Sequence, residues 1–194
     1  LHSTSRRQRQ MCIRDSLLCV ALALTVVTAV IMPMMHFEGA EIYFGILHLL
    51  SLSMLIFSAL RAGLDKINPT VGIIICIAIY IFTYGVSAGY VGIAGLKTFN
   101  LPAVLYRTNY FMPLGFFNSS FHSADYFPLL PHLFMFLTGT FVGVYATNGR
   151  FPAFTYRQRS KALCFLGRHA LVIYIAHQPI IYGILWVVEK IIAK

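Results

Sequence analysis

The chain has 194 residues, of which 58% are hydrophobic and only 11% are charged. Soluble domains average about 45–50% apolar residues, so this composition excludes an ordinary soluble domain and is typical of an integral membrane protein. A formal net charge of +9 would suggest nucleic-acid binding in a soluble chain. Here, however, the basic residues lie mainly in short loops between apolar runs, a pattern that orients membrane proteins. We therefore expect the partner to be a lipid bilayer and not nucleic acid.

The first sixteen residues, LHSTSRRQRQMCIRDS, are polar and basic and differ from everything that follows. Their apolar stretch is too short for a signal peptide, and MCIRDS resembles the translation of a transposase adapter used in sequencing libraries. We predict that residues 1–16 are an assembly artefact. The chain is then a C-terminal fragment whose native start is missing, and we expect it to be inactive alone.

Five largely uncharged runs approach or exceed the roughly 20 residues that a helix needs to cross hydrocarbon. The predicted spans lie at about 17–35, 42–60, 71–88, 127–147 and 163–188. The predicted fold class is therefore all-α, a polytopic membrane helix bundle that forms a single domain over residues 17–188. In the fourth span, Gly139 and Gly143 have the GxxxG spacing that allows a close helix contact.

Residues 89–126 contain no clean span, many aromatic residues and few charges. Such a composition suits an external segment at the membrane interface or a re-entrant segment that lines a cavity. A long ordered loop is the alternative.

The loops differ in charge on the two sides of the predicted bundle. Six basic residues lie on one side, against four basic residues and three acidic residues on the other. The positive-inside rule makes the first side cytoplasmic. The first span then enters from the cytoplasm, and the C-terminus lies outside. The six basic residues are Arg61, Lys66, Arg150, Arg157, Arg159 and Lys161.

Three histidines lie well inside predicted spans, where ionisable groups are costly and mark functional sites. His48 and His132 each lie seven residues after an acidic residue, Glu41 and Asp125. At ~1.5 Å per residue, both are roughly 10 Å inside the external face. His177 lies near the midplane, and Pro179 predicts an opened backbone beside it. The alternative for each histidine is a hydrogen bond between helices.

Two further groups lie near the membrane surfaces. Arg168 and His169 are at the cytoplasmic end of the last span, where an arginine fork suits the phosphates of a cofactor or lipid headgroups. On the outer side, an acidic and titratable rim could hold an amino or hydroxyl acceptor. It contains His36, Glu38, Glu41, His122 and Asp125.

No nucleophile elbow, P-loop, dinucleotide fingerprint or zinc motif occurs in the sequence. The four cysteines show no spacing of metal ligands, so we expect no metal. They are Cys12, Cys19, Cys76 and Cys164.

Three strings resemble, in order and spacing, the bacterial branch of the heparan-alpha-glucosaminide N-acetyltransferase family: EIYFGILHLLSLS, SADYFPLLPHLFMFLTGTFVGVY and FLGRHALVIYIAHQPI. The resemblance covers most of residues 30–187. It implies an acyltransferase of the bacterial inner membrane that passes acetyl from cytosolic acetyl-CoA to an acceptor on the far side. The family's N-terminal helices, with its Arg-Gly motif and its main catalytic histidine, have no counterpart here, so the resemblance transfers no established catalytic residue.

We therefore predict acetyl transfer to a cell-envelope sugar, with a histidine as general base or transient acyl carrier. His177, His48 and Asp125 are the predicted catalytic residues, and Arg168 and His169 the predicted acetyl-CoA residues. One alternative is a transporter or flippase with midplane histidines. Another is a scaffold subunit of an envelope complex, and the oligomeric state stays open.

Overall fold

The computed structural model describes residues 19, 22–23, 25–26, 42–93, 99–123, 125–156 and 160–192. These residues are mainly helical, as predicted. They belong to two compact units, Leu1–Asn148 and Gly149–Lys194. Each unit is described by itself below.

The first unit contains three helices of membrane length: α1 (Ile46–Leu64), α2 (Pro69–Thr83) and α3 (Leu129–Thr147). Each is long and apolar enough to cross a membrane, α2 together with the 3-10 turn Val86–Ala88 that follows it. Nineteen residues rise about 28 Å, close to the thickness of the hydrocarbon core. Three predicted spans therefore correspond to helices. The predicted span 17–35 lies largely outside the described residues, and the count of five stays a prediction.

Local signals explain where α2 begins. The Asn68 side chain accepts a hydrogen bond from the Thr70 backbone N–H at 3.0 Å, as expected of an N-cap residue. Pro69 is the first helical residue, a position that needs no N–H donor. Large apolar side chains of α2, such as Ile74 and Ile75, are exposed, which suits contact with lipid.

Helices α2 and α3 pack antiparallel along their length. Near one end, the Thr70 hydroxyl and the Tyr145 hydroxyl are hydrogen bonded at 2.5 Å. At the other end, the rings of Tyr80 and His132 meet edge to face, with centroids 6.5 Å apart. Between these ends lies a buried cluster of Cys76, Leu137 and Phe141.

A glycine of α2 allows this close packing. A Cβ built at Gly72 of α2 would lie 2.6 Å from the Phe141 ring. By contrast, nothing within the described part of the chain lies within 4 Å of a Cβ built at Gly139 or Gly143. The GxxxG pair therefore makes no close contact among these residues, because the ring of Phe141 fills the contact from the α3 side.

The connection from α2 to α3 is ordered and mostly non-helical. It contains a short antiparallel hairpin of β1 (Tyr90–Val91) and β2 (Phe99–Asn100), with Tyr90 opposite Asn100. Two 3-10 turns follow, Ala103–Tyr106 and Met112–Leu114. Two phenols fasten this connection, since the Tyr106 hydroxyl donates to the Val86 carbonyl and the Tyr126 hydroxyl donates to the Met112 carbonyl at 2.6 Å. Its location relative to the bilayer stays a prediction.

The second unit contains a short helix, α4 (Lys161–Arg168), and a long one, α5 (Ala170–Ile192). They meet at His169, whose φ of −105° and ψ of 12° interrupt the helix. The run predicted as the span 163–188 is thus divided near its start. Helix α5 continues through position 179, and the opened backbone predicted beside Pro179 stays a prediction.

Candidate functional site

Helices α1 and α3 begin side by side. Phe44 and Tyr126 form a parallel β-bridge, and the Phe127 N–H donates to the Phe44 carbonyl at 3.1 Å. Just before the bridge, the Ser123 hydroxyl accepts from the Tyr43 N–H at 3.4 Å. The two chain segments therefore enter their helices in the same direction and at the same end of the unit.

Asp125 caps α1 from the other segment. Its Oδ2 accepts a hydrogen bond from the Ile46 N–H at 3.2 Å. Ile46 is the first residue of α1, and the N-cap residue, Gly45, has no side chain to do this. A Cβ at Gly45 would lie 2.4 Å from that Oδ2. Glycine therefore leaves the space that the carboxylate occupies, and a carboxylate is favourable at a helix N-terminus.

His48 lies in the first turn of α1, two residues after the capped Ile46. It is 9% exposed, and its Nε2 is 3.3 Å from the Thr25 hydroxyl. The ring is tilted against Phe44, with centroids 5.6 Å apart, and Asp125 caps the same helical turn through the Ile46 N–H. Two predicted catalytic residues, His48 and Asp125, thus belong to one local structure.

His132 lies in the first turn of α3, at the same end of the unit. Its Nδ1 is 2.9 Å from the Pro128 carbonyl. A carbonyl only accepts, so Nδ1 carries a hydrogen, and in the neutral ring Nε2 is an acceptor. The ring packs against Phe127 with centroids 5.5 Å apart.

The other predicted site residues lie in the second unit. His177 is half-buried in α5, where its Nδ1 donates to the Tyr174 carbonyl. His169 is exposed, and its Nδ1 donates to the Phe165 carbonyl at 2.9 Å. Arg168, the last residue of α4, is also exposed. The predicted convergence of His48, His132 and His177 stays a prediction.

The outer rim is described only in part, because His36, Glu38 and Glu41 lie outside the described residues. His122 is exposed, and its Nδ1 is 3.2 Å from the Ser120 carbonyl. Burial raises the pKa of the Tyr126 phenol, and the nearby Tyr106 raises that pKa further. Both phenols therefore stay protonated donors well into the alkaline range.

Sequence reasoning missed Gly45 and Thr25. Glu41 and His48 have the same spacing as Asp125 and His132, which fits two similar helix starts. This similarity was the signal that could have pointed to Gly45, which lies at the first of these starts. Nothing in the sequence pointed to Thr25, since its contact with His48 joins positions 23 residues apart.

Among the residues that the structure describes, no group of three His, Cys, Asp or Glu is arranged to hold a metal ion. The expectation of a metal-free site stays a prediction. An exposed arginine such as Arg168 offers a forked set of donors that matches a phosphate.

A comparison with known families decides the class. A family model described as heparan-alpha-glucosaminide N-acetyltransferase, catalytic, matches residues 1–179. The chain belongs to this family. No curated protein and no solved structure matches it.

Membership in the heparan-alpha-glucosaminide N-acetyltransferase family confirms the family predicted from the three strings. Together with three membrane-length helices, it indicates an integral membrane protein of an acetyltransferase class. The matched range includes residues 1–16. Their origin in an adapter, the missing native start and the bacterial branch stay predictions.

Proposed function

We propose that the chain is part of a membrane acetyltransferase that moves acetyl from cytosolic acetyl-CoA to an amino or hydroxyl group of a sugar on the external face. The observation that carries this proposal is the buried imidazole of His48 in the first turn of the helix that Asp125 caps, in a chain of this family. Acetyl-CoA and a glycan acceptor follow from the family, and a cell-envelope sugar is the proposed acceptor class.

His48 is the proposed general base. It takes the proton from the acceptor nitrogen or oxygen as that atom attacks the acetyl carbonyl. The new C–N or C–O bond forms, the C–S bond breaks, and the CoA thiolate takes up the proton from the imidazolium. The negative charge of Asp125 stabilises the imidazolium in between. A base of this kind contributes roughly 10²- to 10⁴-fold to the rate.

His177 is proposed as a second member of the polar centre, and Arg168 and His169 as the residues on the CoA side. The hydrogen bond from His177 Nδ1 to the Tyr174 carbonyl leaves Nε2 as the acceptor in the neutral ring. This tautomer suits a base or a transient acyl carrier. In the acyl-carrier variant, acetyl passes from sulfur to Nε2 and then to the acceptor.

The proposed topology keeps the five spans. The segment 17–35 enters from the cytoplasm, and α5, with 23 residues, is the last span and ends outside. The basic loops before α2 and before α4 then face the cytosol, in a bacterial inner membrane. This arrangement supports a donor site inside and an acceptor site outside.

The test uses the protein expressed from its complete gene and reconstituted in proteoliposomes with labelled acetyl-CoA and amino sugars. We expect His48→Ala and His177→Ala to lower transfer at least a hundredfold. Tyr110→Ala, at a position that is 87% exposed, serves as the control and should transfer normally. Wild-type transfer by both variants would make the histidines structural. Sugar movement without acyl-CoA would instead indicate a transporter.

A further inference from the structure

In the short helix α4, two cations lie on one side together with Phe165, which is 60% exposed, and two leucines lie on the opposite side. Lys161 and Arg168 are seven residues apart, so at 3.6 residues per turn they are about 20° apart around the helix. Leu163 and Leu166 lie on the opposite side, about 140–200° from Lys161. Both leucines are open, with 70% of Leu163 and 51% of Leu166 exposed. The two cations are exposed as well.

Both ends of α4 are fixed by hydrogen bonds. The Ser160 hydroxyl oxygen accepts from the Leu163 N–H at 3.3 Å and caps the start. At the end, the His169 N–H donates to the Leu166 carbonyl at 3.2 Å. The His169 ring is tilted against Phe165, with centroids 4.2 Å apart. The exposed leucines therefore belong to a defined helix and not to a frayed end of α5.

The charge around α4 has one sign. Residues 150–168 contain no Asp or Glu. The basic residues of this stretch are Arg150, Arg157, Arg159, Lys161 and Arg168. After the bend at His169, the 23-residue α5 follows directly. An amphipathic helix with lysine and arginine on its polar face, joined to a membrane-length helix, has the features of an interfacial helix.

We propose that α4 lies in the plane of the membrane interface and binds anionic phospholipid. Leu163 and Leu166 enter the boundary between headgroups and acyl chains. Lys161 meets the lipid phosphates, and its aliphatic stem extends along the apolar surface. The bend at His169 turns the chain from this plane into the bilayer. This inference is independent of the acetyl-transfer chemistry.

Spin labels provide the test, in the full-length protein with its native cysteines replaced. Single cysteines at Leu166→Cys and Lys161→Cys are labelled in vesicles of phosphatidylcholine and phosphatidylglycerol. We expect the ratio of oxygen to nickel-complex accessibility to be several-fold higher at position 166 than at position 161. Ile173→Cys, at an exposed position of α5, is the control for a side chain in contact with hydrocarbon.

Two label outcomes would overturn the inference. Equal access of the nickel complex to positions 161 and 166 would place α4 in water, and exclusion of both reagents from position 166 would mean that protein covers it. A change in the charge of the lipid provides a second test. Replacing phosphatidylglycerol with phosphatidylcholine should raise nickel access at position 161. If added acyl-CoA shields that position and lipid charge has no effect, the basic face belongs to a CoA site and the lipid assignment fails.

Discussion

The carboxylate of Asp125 accepts a hydrogen bond from the backbone N–H of Ile46, 79 positions earlier in the chain. This bond joins the start of α1 to the segment that leads into α3. It also positions the turn that carries His48. A residue predicted to act on the acceptor is therefore also a cap for the helix of the proposed base, and the two roles can be separated by substitution.

Asp125→Ala should destabilise the protein by about 1 kcal/mol, within the 0.5–2 kcal/mol typical of a lost N-cap. Asp125→Asn keeps an oxygen acceptor, so its melting temperature in detergent should stay close to that of the wild type. If the negative charge also assists His48, Asp125→Asn lowers acetyl transfer without lowering that temperature. Unchanged melting of Asp125→Ala would contradict the capping role.

Gly45→Ala should disturb the same contact from the opposite side. Its backbone, with φ −91° and ψ −177°, is open to any residue, so the effect comes from the Cβ that would lie 2.4 Å from Asp125 Oδ2. We expect a lower melting temperature and weaker transfer. Gly63→Ala is the control, because nothing in the described chain lies within 4 Å of a Cβ built there. Alanine is more favourable than glycine in a helix by up to about 1 kcal/mol, so this variant should not melt below the wild type.

His132 can be tested with a pair of variants. Asparagine carries its amide nitrogen near the place of Nδ1 and can still donate to the Pro128 carbonyl, whereas leucine cannot. His132→Asn should therefore melt near the wild type, and His132→Leu should lose roughly 1–3 kcal/mol through the unsatisfied carbonyl. The measured rate of acetyl transfer by His132→Asn should stay within about twofold of the wild-type rate. A large loss of transfer at unchanged melting would instead assign chemistry to Nε2.

Tyr126 should make the protein sensitive to alkali. Burial raises the pKa of its phenol, so the folded state keeps the proton at pH values where the unfolded chain, with a pKa of about 10, loses it. Stability is then unaffected below about pH 10 and falls above it. Tyr126→Phe should flatten this fall in thermal melts. It should also cost about 1–3 kcal/mol at neutral pH, because the Met112 carbonyl loses its donor. Tyr110 is 87% exposed, so Tyr110→Phe should change neither the fall in stability at alkaline pH nor the stability at neutral pH.

Gly72 should tolerate no larger residue. A methyl group there would meet the Phe141 ring at 2.6 Å, and overpacking of this kind typically costs about 1–3 kcal/mol. Gly139→Ala on the facing helix is the matched change. Since it meets nothing within 4 Å among the described residues, it should be neutral or stabilising. A melting comparison in detergent that ranked Gly139→Ala below Gly72→Ala would contradict the packing described for α2 and α3.

The sequence predicted the spans better than the contacts between them. Uncharged runs of membrane length follow from the chemistry of hydrocarbon, so α1, α2 and α3 lie close to their predicted bounds. The choice of Gly72 over Gly139 depends on which aromatic ring faces which helix, and spacing contains no such information. The bend at His169 was also missed, because hydropathy averages over the polar side chains that end a helix.

The roles predicted for the site residues stay predictions, although His48 and Asp125 belong to one local structure. Equal spacing from acid to histidine placed His48 and His132 at similar depth, and both do lie in first turns at one end of their unit. That Asp125 would cap α1 could not be foreseen, because it depends on the parallel bridge of Phe44 and Tyr126.

The origin of the α1 cap in a distant segment also has a consequence for synthesis. A ribosome that adds roughly 5–20 residues per second needs about 4–16 s to pass from Ile46 to Asp125. In the later part of that interval, after Leu64 has been added, α1 is long enough to enter the bilayer, but its leading amide still lacks the carboxylate. The turn that carries His48 is therefore completed only after the chain has reached the start of α3, so insertion of α1 and completion of its N-terminal cap are separate events in time.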